Sequence, residues 1–273
     1  MREVEGKALK DIVQYSLKAA LDFLIPRRCI VCKRELDISE EHLCRECLED
    51  LPRTYYWLRK FNPMADRFNA LIQEDAEQHS AHQDGQLSSR RIDYSFAVAL
   101  FFYRAESGYR RIPYQIKYHG DIPAGRFFGR MLGEKVAFAE HFADVDTVIP
   151  VPLHWVRQWR RGYNQAEVIA REVAIALGAE LRTDILERRR RTHTQTKLTI
   201  EGKAANVKGA FRVKSCNSNK TDASALSDLK HLLIIDDVFT TGSTLYACYS
   251  SLRAVLPPSV RISVATLAFV GEA

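Results

Sequence analysis

The chain has 273 residues, enough for one α/β core and a small appended module, because a domain usually takes roughly 100–200 residues. Hydrophobic residues make up 46% and charged residues 27%, which excludes disorder of the whole chain. The 40 lysines and arginines against 34 acidic residues give a net charge of +6, and much of this excess lies in residues 157–161 and 188–191. Such local positive charge favours anionic partners, from pyrophosphate to nucleic acid.

The first 28 residues predict an amphipathic N-terminal helix. Apolar residues recur at a helical period between Ala8 and Ile25, but charged residues interrupt them, and no cleavage site of a signal peptide follows. We expect the helix to end before Pro26 and to dock on the body of the protein or on a partner. No window of about 18 apolar residues could span a bilayer. These features predict a cytoplasmic protein without an integral membrane segment.

Four cysteines predict a zinc site at the start of the second segment. Cys29 and Cys32 form one Cys-x-x-Cys pair, and Cys44 and Cys47 form another. Two such pairs at this separation can bring four thiolates to one tetrahedral ion. Two disulfides are the alternative, which a reducing compartment disfavours. Four thiolates leave no open coordination position, so we expect the Zn²⁺ to be structural and not catalytic.

The remaining chain divides by composition. The zinc module and an aromatic connector are expected to take residues 29–72, with the connector's aromatic residues packed on the main domain or lining an acceptor pocket. Residues 73–91 are polar and predict a surface loop. Residues 92–273 alternate strands and helices, which predicts an α/β fold with a parallel sheet flanked by helices. The predicted strands are 94–103, 145–151, 181–186, 232–236 and 260–267, and the predicted helices are 107–118, 122–139, 165–177 and 243–256.

The segment from Leu232 to Thr244 predicts a phosphate site. An apolar strand runs into Asp236 and Asp237, and a polar turn at the start of a helix follows, made of Thr240, Thr241, Gly242, Ser243 and Thr244. In open parallel sheets ligands bind beyond the carboxyl ends of strands, where the free amides of a helix N-terminus favour phosphate. The two carboxylates repel phosphate but can accept hydrogen bonds from vicinal hydroxyls. Phosphate and a diol together indicate ribose 5-phosphate.

A Walker loop is excluded, because Gly242 is followed directly by Ser243 with no lysine between them. The stretch instead resembles the signature of the type I phosphoribosyltransferases. Further motifs resemble the ComF/GntX family: residues 23–29, the paired cysteines, and the segments 116–121, 149–153 and 160–165. This resemblance implies a type I phosphoribosyltransferase fold in residues 92–273, phosphoribosyl pyrophosphate with Mg²⁺ as ligand, and a link to DNA uptake in competent bacteria.

The resemblance also implies further site residues. Val151 and Pro152 match the loop that faces the pyrophosphate in phosphoribosyltransferases, and Lys117, Arg160 and Arg161 would supply cations to it. Arginine suits bidentate phosphate contacts, although these two arginines can equally solvate a loop.

The segment 188–212 matches the flexible hood loop that closes over the donor, and Gln195 and Lys197 lie in it. A basic hairpin that binds single-stranded nucleic acid is the alternative for this segment. In the transferase mechanism Mg²⁺ with Lys197 and the two arginines would neutralise pyrophosphate, while Asp236 and Asp237 hold the ribose.

Two hypotheses therefore remain from the sequence. The first is an active phosphoribosyltransferase whose acceptor no motif identifies. The second is a protein that binds phosphoribosyl pyrophosphate without turnover and handles single-stranded DNA together with competence proteins. Both hypotheses share the donor site.

Overall fold

The structure is a computed structural model that describes residues 26–80, 94–189, 209–214 and 229–271. The expected N-terminal helix lies almost wholly outside these ranges. Gln195 and Lys197 of the expected hood loop also lie outside them, as do residues 81–91 of the expected polar loop.

A parallel sheet forms the centre of the described fold. Its strands are β1 (Ala97–Phe102), β2 (Thr147–Pro150), β3 (Glu180–Leu181), β6 (His231–Phe239) and β7 (Arg261–Phe269). They are ordered β1-β7-β6-β2-β3, with parallel pairing throughout. Two further strands, β4 (Leu186–Arg188) and β5 (Phe211–Val213), form a separate antiparallel pair. The expected parallel sheet is therefore confirmed.

Helices cover both faces of this sheet. They are α1 (Arg45–Glu49), α2 (Pro63–Ser80), α3 (Arg111–Tyr118), α4 (Ile122–Phe138), α5 (Trp155–Arg161), α6 (Gln165–Leu177) and α7 (Ser243–Arg253). Helices α4 and α6 pack against each other and the sheet, and α2 and α7 do so on the other side. The α4–α6 approach is close, because a Cβ at Gly133 would lie 2.9 Å from the Cβ of Ala176. With both faces covered, the central strands are apolar runs.

Helix α2 corrects one expectation. It continues through residues 73–80, which were predicted to begin a polar loop. The helix starts where Asn62 Oδ1 accepts a hydrogen bond from Ala65 N at 3.0 Å, with Pro63 at its first position. Its buried face is carried by Met64 and Phe68, which are fully buried. This anchored first half lets the polar second half extend as helix.

Strand boundaries also differ from the prediction. The strand expected near residues 181–186 is two short strands, because the chain leaves the sheet after β3 and joins the β4–β5 pair. That pair borders the undescribed residues 190–208, so only the ends of the expected hood segment are described. Strand β6 is longer than expected, because Val238 and Phe239 still pair with β7.

The four-cysteine module and the connector are packed onto the domain. In the connector Tyr56 and Trp57 are buried, whereas Tyr55 and Phe61 are exposed. The buried members therefore pack on the sheet, as the edge-on contact of the Tyr56 and Phe102 rings shows. Across the described ranges, no helix is long and apolar enough to cross a membrane.

Candidate functional site

Asp236 and Asp237 lie near the carboxyl end of β6, in the middle of the sheet. Their relative exposures are only 9% and 3%. Neighbouring residues of a strand point to opposite faces, and the surroundings of the two carboxyl groups agree with this rule. Asp237 Oδ2 lies 3.2 Å from Lys117 Nζ of α3, and Asp236, which also acts on Lys117, has Arg188 and Cys248 in its electrostatic surroundings. The acid pair therefore joins elements from both sides of the sheet.

The surroundings of Asp236 disfavour its charged form. Burial, together with the neighbouring charge of Asp237, raises the pKa of Asp236 to about 8. The negative charge of Asp237 raises the pKa of Lys117 in turn. Burial thus favours the neutral form of Asp236, which lies next to the Asp237–Lys117 ion pair.

The turn after β6 has the backbone of a helix start. Gly242 is the N-cap of α7 and has a φ of +82°, in the left-handed region. Gly242 offers no side chain to the first helical amides, although Ser243 N donates to Thr241 Oγ1 at 3.4 Å, and a helix N-terminus of this kind favours an anion. The hydroxyl groups of Thr241 and Ser243 lie 2.8 Å apart across the turn, and Thr240 is exposed. Thr244 follows in the first turn of α7, half-buried.

Gly242 is also required by packing. A Cβ at this position would lie 2.6 Å from the Phe239 ring and 3.0 Å from Leu71. The sequence suggested only that a glycine lets the backbone approach phosphate. The structure adds a reason that acts without any ligand.

The Val151–Pro152 loop lies beside the acid pair. Strand β2 pairs with β6 up to Pro150 opposite Ile235, and Val151 N donates to Ile235 O at 2.8 Å. The carbonyl oxygen of Val151 accepts from Asn164 Nδ2 at 3.0 Å, while Asn164 caps α6. The loop is therefore fixed at the same sheet edge as Asp236.

The two arginines of α5 differ in their placement. Arg161 donates from Nη1 to Gln165 Oε1, and its guanidinium carbon lies 5.7 Å from the centre of the Tyr118 ring. Arg161 therefore lies beside α3, the helix whose Lys117 pairs with Asp237. Arg160 is exposed, and the described contacts do not link it to the acid pair.

Sequence reasoning gave no individual role to two residues near the acids. Arg188 is half-buried in β4, with its guanidinium carbon 5.0 Å from the centre of the Phe211 ring. Burial lowers the pKa of Arg188, and the charge of Asp236 opposes that shift. The hydroxyl oxygen of Tyr163 is buried and has no hydrogen-bond partner among the described residues. Tyr163 belongs to the motif at residues 160–165, but the spacing of that motif does not show that the tyrosine ring points inward.

The four cysteines converge as expected. The sulfur atoms of Cys29, Cys32, Cys44 and Cys47 all lie within 4.8 Å of one another, and none of the four is in a disulfide. Cys32 Sγ and Cys44 Sγ are 3.6 Å apart, close to the roughly 3.8 Å edge of a tetrahedron with Zn–S bonds of about 2.3 Å. These residues could hold a metal ion, and the all-sulfur ligand set suits structural zinc.

One thiol is already inclined to ionise. Burial alone would raise the pKa of Cys29, but backbone hydrogen bonds from Cys32, Cys44 and Val31 outweigh it and lower the pKa to about 7. A thiolate is the form that binds metal, so these amide groups favour metal binding.

The chain is similar to several known proteins. No family model matches the chain. Competence protein F of Haemophilus influenzae is 26% identical over 229 residues, which cover 83% of this chain and 90% of that protein. The DNA utilization protein YhgH of Salmonella typhi is 31% identical over 135 residues, covering 48% of this chain and 55% of that protein. YhgH of Escherichia coli K12 is 33% identical over 100 residues, 37% of this chain and 40% of that protein.

The fold and site define an α/β protein with a four-cysteine module at one end and a buried acid pair at the carboxyl edge of a parallel sheet. With these features, the chain is similar to competence protein F over most of its length and to the YhgH proteins over about half of it or less.

Proposed function

We propose that the chain binds phosphoribosyl pyrophosphate with Mg²⁺ at the acid pair and the following turn, in a type I phosphoribosyltransferase fold, and transfers the phosphoribosyl group to an acceptor. One observation carries the proposal. The buried carboxyl groups of Asp236 and Asp237 lie near the carboxyl end of β6, and only Val238 and Phe239 separate them from the turn that leads to Gly242, the N-cap of α7. A diol site and an anion site are thereby adjacent.

The described residues divide between the two halves of the donor. The amides and hydroxyl groups of residues 240–244 would receive the 5-phosphate at the N-terminus of α7. The acid pair would receive the ribose hydroxyl groups, with protonated Asp236 able to donate as well as accept a hydrogen bond. The Lys117 charge offsets that of Asp237, so a polyanionic donor meets little repulsion.

Transfer breaks the bond between C1 of the ribose and the pyrophosphate oxygen, leaving positive charge on the ring and negative charge on the leaving group. Ionised Asp237 is suited to stabilise the ring charge, and Arg161 and Lys197 are the proposed cations for pyrophosphate. Mg²⁺, when bound with the donor, would add positive charge beside the pyrophosphate; carboxylate and phosphate oxygens are the ligands it prefers.

Calorimetric titration with phosphoribosyl pyrophosphate and Mg²⁺ tests the donor site. Wild type should bind, whereas Asp236→Asn/Asp237→Asn should lose binding while keeping its circular dichroism spectrum. Equal binding by both proteins would overturn the assignment. Pyrophosphate release with a panel of bases then separates transfer from binding alone.

A specific surface favours a second candidate function, which is binding of single-stranded DNA. Trp155 and Trp159 are one helical turn apart on α5 and are 72% and 82% exposed. The same helix contains three arginines and no acidic residue, and Arg161 stacks near Tyr118. The Tyr118 ring is in turn 4.9 Å from that of Tyr114. Exposed rings interleaved with arginine are the groups on which unpaired bases stack.

The names of the relatives, competence protein F and DNA utilization protein, agree with a role in DNA uptake. Fluorescence anisotropy with a labelled oligothymidine tests the surface. Trp155→Ala/Trp159→Ala should weaken binding by about 1–3 kcal/mol per lost stack, and wild-type affinity should fall steeply with salt. Phe138→Ala is the matched control, since Phe138 is 77% exposed but lies at the end of α4. Equal losses of affinity in both variants, or a wild-type affinity that does not change with salt, would show that this surface does not bind single-stranded DNA.

A further inference from the structure

One segment connects the cysteine cluster to the acid pair. It runs from the short 3₁₀ turn Gly108–Arg110 into α3, and each of its ends makes polar contacts with a different part of the molecule. At the far end Lys117 pairs with Asp237. About 9 Å of helix separates Arg111 from Lys117, at 1.5 Å per residue.

The near end is held by the cysteine knuckles themselves. Arg111 donates from Nη1 to the carbonyl oxygen of Val31, which lies between the first two cysteines. Tyr109 donates its hydroxyl to the carbonyl oxygen of Cys47 at 3.0 Å. Gly108 is in close contact with the same knuckle, because a Cβ there would lie 2.9 Å from Val31 Cγ1. All three contacts end on residues whose positions depend on how the knuckles fold.

The apolar and the polar contacts of α3 have different roles. Ile112 and Ile116 are fully buried and hold one face of the helix to the core. An eight-residue helix is marginal by itself, so its ends need tertiary contacts to keep their positions. At the near end those contacts are the carbonyl groups of Val31 and Cys47.

We propose that Arg111 and Tyr109 are positioning residues, which make the placement of Lys117 against Asp237 depend on the metal-folded state of the four-cysteine module. Structural zinc sites are generally unfolded without their metal, so metal loss would free the two carbonyl groups and release the near end of α3. Release of the near end of α3 would then weaken the contact between Lys117 and Asp237, which lies about 9 Å further along the helix. Its consequence for donor binding rests on the proposed function.

Hydrogen exchange measures the placement of α3 without any donor. In the zinc-loaded full chain, Arg111→Ala should speed hydrogen exchange of the α3 amides about 5- to 10-fold, which is the lower end of the range for coupled sites. Chelation of zinc should speed the same amides in wild type. Arg111→Lys, which can still donate to Val31 O, should restore much of the protection. Arg110→Ala should not change it, because Arg110 bonds Ala105 O instead. Helix α6 serves as the internal reference.

Chelation that speeds exchange in residues 29–47 but leaves α3 unchanged would overturn the proposal. Equal acceleration in α6 would also overturn it, because the effect would then be general loosening.

A double-mutant cycle with phosphoribosyl pyrophosphate and Mg²⁺ asks whether Arg111 acts through Lys117. Arg111→Ala should weaken donor binding about 5- to 10-fold, and in a Lys117→Met background it should have no further effect. Additive losses would contradict action through Lys117. If wild type binds no donor, the proposed function fails, and the exchange experiment still decides the positioning role.

Discussion

Lys117 Nζ lies 3.2 Å from Asp237 Oδ2, and this ion pair joins helix α3 to the end of the central strand. The Asp237 side chain is 4% exposed, and that of Lys117 is 35% exposed. A carboxylate that deep in the sheet needs a nearby cation, because leaving water costs several kcal/mol. Lys117 supplies that cation and keeps the proposed donor site close to neutral.

Lys117→Met should therefore destabilise the protein by about 1–3 kcal/mol. Removing one partner of a buried pair typically costs about 3–5 kcal/mol, and the partial exposure of Lys117 reduces that figure. Chemical denaturation at pH 7 measures the loss. Lys135→Met is the control, because Lys135 has no described ion pair and should change stability by less than about 0.5 kcal/mol. Equal losses in the two variants would contradict the role of the pair.

The pair should also resist alkaline conditions. Its partner raises the pKa of Lys117, so its stabilisation is fully present below the unfolded pKa of lysine and is lost as pH rises through the higher folded pKa. The stability difference between wild type and Lys117→Met should thus be present at neutral pH and shrink above about pH 10. A difference that vanishes near pH 7 would refute this assignment.

Asp236→Asn should stabilise the protein, whereas Asp237→Asn should destabilise it. Burial raises the pKa of Asp236 to about 8 from its ordinary value of 3.8, so folding is penalised progressively as pH rises between those values. Asparagine removes the penalty while Oδ1 can still accept from Asp237 N. Denaturation at pH 5 and pH 8 should show a gain that grows with pH and exceeds about 1 kcal/mol at pH 8.

Asp237→Asn is the matched comparison, because it breaks the pair with Lys117. We expect it to destabilise the protein where Asp236→Asn stabilises it. Losses of the same size in both variants would contradict the assigned protonation states. A stabilised Asp236→Asn protein that binds donor poorly would show that the acid is kept for binding and not for stability.

Much of the fold could be predicted because local rules and tertiary packing agree there. Helix α6 starts at the Asn164 cap and ends at Gly178, which has a φ of +66°, and both signals are visible in the sequence. The extension of β6 through Phe239 was missed, because its pairing with Phe269 of β7 is a tertiary contact. Helix α2 was not predicted, because its first half was assigned to the aromatic connector and its second half to a polar loop, although Asn62 and Pro63 are a helix start signal.

The candidate site was predictable in its strand and turn but not in its neighbours. Paired acids before a glycine turn form a local pattern, so Asp236 and Gly242 could be singled out. Among the four successive arginines that begin at Arg188, composition cannot show which one turns toward Asp236. The anchoring of α3 by Arg111 joins residues 80 positions apart, and no local pattern encodes such a contact.

Cys44→Ser should abolish stoichiometric zinc binding. Cys44 is fully buried among the other three sulfurs, and three thiolates with one hydroxyl hold zinc less well than four thiolates. Metal content by a chelator assay and the unfolding temperature should both fall relative to wild type. Cys248→Ala should keep full zinc content, since Cys248 lies in α7 outside the cluster. Full zinc content in Cys44→Ser, or none in wild type, would contradict the four-cysteine site.

Gly242→Ala separates the two demands made on the turn before α7. Any side chain at a φ of +82° costs about 1 kcal/mol, and the Phe239 ring 2.6 Å from the new Cβ adds a steric cost of similar size. Gly178→Ala is the control, because Gly178 has a φ of +66° and a Cβ added there would meet nothing within 4 Å. Chemical denaturation should show that Gly242→Ala lowers the free energy of unfolding by at least about 1 kcal/mol more than Gly178→Ala does. Donor affinity should fall only in Gly242→Ala, because displacement of Phe239 moves the amides at the start of α7. Equal donor affinities in the two variants would show that this turn does not hold the phosphate.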